Sequence, residues 1–279
     1  MSAAETAPGR IGRDGALCLV FERRGAATVL AGCRSTLPLQ VLAPVALDDA
    51  AAVVSMLNPT GGVLGGDRLT IELEIGPGAH ACLTTPSATR VYRSSGAPAV
   101  QTVHARLAPG AVCEWVPEHT IPSPAAILEQ ALTFEVGAGA TLIAVDAWAA
   151  GRVARGEAWS FTRLASTLSV RDAVGLVLHD RFVLNGSDRW GGLGFAEDHP
   201  YFASVVVVTD APLDSFRDAW SPAPAAGDVR IGVARLPRRG ALVRCLARSA
   251  PALTAAVHAV WTAARRTALT APPLDLRKG

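Results

Sequence analysis

A mainly β fold of stacked coils, β-helix-like and carrying a few helices with one near the C-terminus, is the architecture this sequence predicts. Three observations lead there. First, four segments share a small-residue turn followed by an extended run: "IGPGAHACLTTPSAT", "LAPGAVCEWVPEHTI", "VGAGATLIAVDAWAA" and, degenerately, "VRDAVGLVLHDRFVL". Their turn alanines, Ala79, Ala111, Ala140 and Ala173, are 32, 29 and 33 residues apart. Whole strand-rich units that recur about every 30 residues point to stacked coils, whereas an ordinary sandwich repeats single strands about every 8–12 residues. Second, alternating runs precede the turns, "LTIELEI" (69–75), "TVHARL" (102–107) and "LTFEV" (132–136), and alternation buries one strand face. Third, only one long stretch, close to the C-terminus, has a clear helical pattern.

The elements follow in chain order. Residues 1–15, "MSAAETAPGRIGRDG", lack the apolar core of a signal peptide and are expected to be disordered. The Gly-rich stretch "LNPTGGVLGGDRLTIEL" (57–73) places Gly61, Gly62, Gly65 and Gly66 before Asp67 and Arg68. It imitates a P-loop, but Asp67 and Arg68 stand where lysine and a hydroxyl would serve phosphate and magnesium. A strand follows instead of a helix whose amides could hold an anion, so nucleotide binding is excluded. These glycines are expected to turn the backbone tightly or to let it approach a neighbour.

The coils carry a polar file. Six residues past the turn alanines stand Thr85, Pro117, Asp146 and His179; seven past stand Pro86, Glu118, Ala147 and Asp180. Stacking would bring these within one strand spacing, about 5 Å. Such a file is either a satisfied polar ladder or a path for a cation. Beyond it, "YFASVVVVTD" (201–210) reads as a buried strand, "PLDSFRDAW" (212–220) as a possible short helix, and "RIGVARLP" with "ALVRCLARS" as a hairpin. The one firm helix covers about 250–268, with Ser249 as cap, Pro251 in the first turn and Arg265 and Arg266 near its end. Leu253, Val257, Val260, Trp261 and Ala264 form its apolar stripe. No linker divides the chain, so residues 1–279 are expected to form one domain.

Composition narrows the function. Half of the residues are hydrophobic, 18% are charged, and mean hydropathy is +0.29. So apolar a composition either implies exposed apolar patches, a partner protein and poor solubility alone, or reflects abundant alanine that inflates the score. Net charge is +2 with a single lysine, Lys278, and no basic run, which excludes a nucleic-acid surface. Five cysteines without Cys-x-x-Cys spacing argue against a disulfide framework or structural zinc. No apolar run is long enough to span a bilayer, and the expected compartment is the cytoplasm. The six histidines never pair at helical zinc spacing, and no nucleophile elbow is present. Carboxylates remain: Glu118, Asp146 and Asp180 suit either the acid and base of a carbohydrate-cleaving enzyme or weak, releasable binding of a divalent ion.

Two motifs then become specific together. "LNPTGGVLGGDRLTIELEIGPGAHACLTTPSATRVYRS", preceded by "STLPLQVLAPVAL" and followed by "WVPEHTI", "LTFEVGAGATLIAVDAWAAGRVARGEAWSF" and "DRFVLNG", resembles the urease accessory protein family UreD, also called UreH. The resemblance covers about 37–186, with the C-terminal third looser. It implies a non-enzymatic chaperone of stacked β architecture that binds UreF, the GTPase UreG and the urease apoenzyme, with a possible dimer of the accessory complex. It further implies nickel insertion through an internal passage, with nickel in transit and no tightly bound cofactor, nucleic acid or membrane. Position by position it implies roles for Asp67, for Thr84, Thr85, Ser87 and Thr89 in a hydroxyl-rich strand, and for Tyr92 and Arg93 closing that motif. Asp146 stands before the pair Gly151 and Arg152, Glu157 follows it, and Glu118 sits in the Trp-x-Pro motif; Asp67, Glu118, Asp146, Glu157 and Asp180, with Thr84, Thr85 and Ser87, are the candidate nickel path. Pro59 and "IPSPAAI" depart from the usual pattern.

Overall fold

The computed structural model describes residues 12–45, 47, 50–190, 192, 194, 196–212 and 227–276. An N-terminal hairpin, β1 (Asp14–Arg24) and β2 (Ala27–Thr36), is followed by the short β3 (Gln40–Val41) and by β4 (Ala52–Leu57). The expectation of disorder through residue 15 is corrected, because β1 begins at Asp14 and its alternation buries Leu17, Leu19 and Phe21. Three coils come next. They comprise β5 (Arg68–Ile75), β6 (His80–Thr84) and β7 (Thr89–Val91); β8 (Ala99–Leu107), β9 (Val112–Trp115) and β10 (Thr120–Pro122); and β11 (Ile127–Val136), β12 (Thr141–Ala149) and β13 (Gly151–Arg152).

The turn-alanine spacing is the strand register itself. Ile71 pairs with Val103 and Val103 with Leu132 in one sheet, while His80 pairs with Val112 and Val112 with Thr141 in the other, all parallel. Each corner has the same cause: Gly78, Gly110 and Gly139 take φ of +64°, +69° and +65°, and the alanine after each is wholly buried.

The fourth unit is not a coil. After β13, a 3-10 turn (Val153–Arg155) and β14 (Glu157–Ala158), β15 (Arg163–Asp172) stacks parallel on β11, but β16 (Gly175–Asn185) folds back antiparallel on β15 in the same sheet. The corner lacks a glycine before its alanine, and Ala173 is exposed. Asp172 instead accepts the amides of Val174 (2.9 Å) and Gly175 (3.1 Å), closing a tight hairpin. His179 and Asp180 therefore sit on an edge strand of the first sheet, out of line with Asp146. The strand beside Asp146 is β17 (Tyr201–Val208), with Ser204 opposite it. β18 (Val229–Arg235) and β19 (Gly240–Ala247) form the expected hairpin. The expected short helix at 212–220 lies outside the described residues except for Pro212.

The first sheet runs β16-β15-β11-β8-β5-β1-β2 and the second β18-β19-β17-β12-β9-β6-β4-β3. One core fills the space between them, with Phe21, Leu73, Val103, Leu132, Phe134 and Trp148. A second lies outside the second sheet, where Leu253, Val260 and Trp261 of α1 (Ala250–Ala268) meet Ile143, Val205 and Val243. β12 is covered on both faces, and every residue in it except Asp146 is buried. Ser249 caps α1 by accepting the Ala252 amide at 3.3 Å, and Pro251 sits in its first turn. Among the described residues, no helix is long and apolar enough to cross a membrane.

Candidate functional site

Alternation decides which way the polar file faces. In β12, Leu142, Ala144 and Trp148 join the inner core while Ile143, Val145 and Ala147 join the outer one. Asp146 therefore points inward. With Thr85, Ser87 and Glu118 it lines a cavity of about 260 Å³ between the sheets. The first sheet supplies a matching file that the sequence reading missed. Gln101, Gln130 and Ser166 stand side by side on β8, β11 and β15. Each occupies the inward phase of a strand whose other inward residues are apolar. A polar residue on the apolar phase was the available signal.

These two files meet at Asp146. Its Oδ1 accepts Gln130 Nε2 (2.9 Å) and Trp148 Nε1 (2.8 Å), and its Oδ2 accepts Ser166 Oγ at 2.9 Å. Every one of these donors is neutral. Burial pushes the Asp146 carboxyl up to about 6; the three hydrogen bonds oppose this in part, and the Asp180 charge adds to it. Asp180 itself pairs with Arg244 at 2.6 Å and accepts Ser204 Oγ at 3.4 Å.

Beside this layer the second sheet opens. β12 pairs with β9 only as far as Ala144 and Trp115, and it meets β10 at one position, Thr120 with Trp148. Between these points the chain diverges at Pro117, which has no amide hydrogen to give a ladder. An outer groove of about 460 Å³ lies between α1 and the sheet, with His119, His258 and Asp275 in its wall. Pro117, Glu118, Val145 and Ala147 belong to the walls of both spaces. Glu118 donates its amide to Thr85 Oγ1 at 2.9 Å, which fastens the diverging segment to the first coil.

The remaining candidates lie elsewhere. Asp67 is 2% exposed, and its carboxylate accepts the Arg13 amide at Oδ1 and the Leu64 amide at Oδ2, both at 2.9 Å. It closes the Gly-rich loop and fastens it to the N-terminal segment, and it is not among the residues that line the cavity with Asp146. Gly66 in that loop has φ +87°, and a Cβ on Gly62 would stand 2.6 Å from the Arg90 carbonyl oxygen. Thr84 donates to the Val116 carbonyl at 2.8 Å and is buried. Glu157 grips Arg152 through two bonds of 2.5 and 2.9 Å. Among the described residues, no three His, Cys, Asp or Glu side chains cluster as a metal site.

A second buried carboxylate was not anticipated. Glu114 of β9, wholly buried, faces α1 and accepts His80 Nε2 (2.6 Å), Trp261 Nε1 (2.5 Å) and the Arg265 guanidinium. Burial would raise its carboxyl, but the His80 bond, the Arg265 charge and the Trp261 bond outweigh that and hold it below the ordinary range. Arg265, expected to complement the helix end, is instead fully buried in this ion pair.

Comparison with known proteins points to one family. The family model "UreD urease accessory protein" matches residues 13–278. The chain is 35% identical to the urease accessory protein UreD of Alkalilimnicola ehrlichii over 99% of this chain and 94% of that one. It is 35% identical to that of Deinococcus radiodurans over 97% and 96%. With that of Delftia acidovorans it shares 34% identity over 86% and 85%. This leaves no place for the carbohydrate-cleaving reading of the carboxylates. The chain belongs to the UreD urease accessory protein family, the non-enzymatic chaperones of urease maturation.

Proposed function

We propose that this protein works in the cytoplasm as a scaffold that joins UreF and UreG to the urease apoenzyme and passes nickel through its interior. The observation that carries the reading is the polar layer around Asp146, opening at Pro117 and Glu118 toward the groove beneath α1. Its donors are carboxylate, amide and hydroxyl oxygens, which hold a borderline cation weakly and release it readily. A partner surface has its own support: Leu37, Leu42 and Val45 fall in one short run and are 55%, 49% and 47% exposed.

Asp146→Ala and Glu118→Ala test the passage. Each variant, co-expressed with UreF, UreG and apo-urease, is expected to co-purify with all three partners while nickel per urease falls at least tenfold. Wild-type nickel content in urease matured by both variants would refute the route.

A further inference from the structure

The motif residues that the interior does not use gather at one other place. β7 and β10 pair in parallel, Thr120 with Thr89, and make a short third side of the stack beside β13. There a pocket of about 390 Å³ is walled by Arg90, Tyr92, His119, Arg152, Arg155 and Tyr201. An adjoining hollow is bounded by Tyr92, Arg93, Arg152 and Glu157. The Tyr92–Arg93 motif and the Gly151–Arg152 motif, far apart in sequence, thus share one concave surface.

Its charges are unbalanced. Glu157 is committed to Arg152, whose guanidinium it fixes with two bonds. Among the described residues, Arg90, Arg93 and Arg155 have no carboxylate within ion-pair distance. Crowding like charges in a concavity costs energy unless an anion joins them, and the cavity walls concentrate the resulting positive potential. Hydroxyls from Tyr92, Tyr201 and Ser123 add neutral hydrogen-bonding groups to the walls. Guanidinium forks match planar carboxylates and phosphates, often through two bonds each.

We propose that this pocket binds an oxyanion group, carboxylate or phosphate, with Arg90 and Arg155 as its charge partners and Arg152, held by Glu157, as its fixed wall. The group arrives either as a free small anion or on an acidic segment of a protein partner. Arg90 also reaches the wall of the interior cavity and His119 that of the outer groove, but anion binding by the chain alone is read without nickel, so failure of the proposal and failure of nickel passage are distinguishable.

Isothermal titration of the full chain with inorganic phosphate and with a hexaglutamate peptide, at constant ionic strength, tests it. The wild type is compared with Arg90→Gln/Arg155→Gln, whose two exposed side chains hold nothing else in place, and with Ala154→Glu, which puts a carboxylate on the exposed rim. Saturable binding of at least one probe, weakened tenfold or more in both variants, is the expected result. Tighter hexaglutamate binding assigns the site to a protein-borne carboxylate, and tighter phosphate binding assigns it to a free anion. Absence of saturable binding for both probes, or affinity unchanged in the double variant, overturns the proposal.

Discussion

Asp146→Asn is expected to make the protein more stable at neutral pH and no more stable in acid. The wild-type carboxyl is raised from 3.8 to about 6 by burial among neutral donors. For an acid, a raised folded value means that the folded state holds the proton more tightly than the unfolded chain does. The associated stability is complete below about pH 3.8 and is lost as pH rises through about 6. At about 1.4 kcal/mol per unit, the charge costs the fold about 3 kcal/mol above that window. Asparagine fits the same contacts: its oxygen can accept from Gln130 and Trp148, and its amide can donate to a rotated Ser166 hydroxyl. The variant should therefore gain about 2–3 kcal/mol at pH 7.5 and nothing at pH 3.5. Urea unfolding at a series of pH values, followed by far-UV circular dichroism, measures both. A variant equal to or less stable than wild type at pH 7.5 would show that the carboxylate is compensated in the folded state, and the reasoning would fail.

The carboxylate facing the other way should behave oppositely. Glu114→Ala strands Arg265 and is expected to cost about 3–5 kcal/mol, seen as a lower melting temperature and a red-shifted Trp261 emission. Because the folded Glu114 carboxyl is depressed, its stabilisation is present above the unfolded value of 4.5 and is lost as pH falls below it; acid unfolding that is insensitive to Glu114→Gln would contradict this. Asp67→Ala deprives two loop amides of their acceptor and should destabilise by roughly 2–4 kcal/mol, while the variant that remains folded still matures urease normally. Loss of nickel loading without loss of stability would instead place Asp67 on the cation's route.

Much of the fold was legible because one local device is repeated. A left-handed glycine before a buried alanine sets each corner, so the 32 and 29 residue spacings are registers that can be read off a sequence. The same device explains the failure at Ala173. The spacing there was nearly right, but the glycine was missing and Asp172 closed a hairpin instead. Half of the interior layer was legible for the same reason, since Thr85, Pro117 and Asp146 follow the corners at constant distance. Gln101 and Gln130 each precede their turn alanine by ten residues and could have been aligned by the same count run backwards, whereas Ser166, seven before Ala173, falls out of step because the fourth corner is a hairpin. The Glu114 cluster was hidden more deeply. It joins β9 to α1 across about half of the chain, and neither periodicity nor spacing encodes which helix will cover which sheet face.

Glu114 and Asp146 also make a physical distinction that bears on function. They lie in neighbouring strands of one sheet, Glu114 wholly buried and Asp146 partly exposed where it lines the cavity, and the fold treats their charges in opposite ways. Glu114 is met by a guanidinium, an imidazole and an indole, so its negative charge is matched and its proton is lost easily. Asp146 is met by an amide, a hydroxyl and an indole, none of them charged, and the charge of Asp180 disfavours its own. A carboxylate serving only to join elements would be stabilised by the first arrangement and is weakened by the second. What the second arrangement retains is an unmatched negative charge facing a cavity, oriented by fixed dipoles and flanked by oxygen donors. A divalent ion entering that space gains the Coulomb energy that the fold leaves unused, and loses it again when the carboxyl takes up a proton or the ion moves on. The energetic weakness at Asp146 and the proposed passage of nickel therefore have one cause, the absence of a permanent cationic partner.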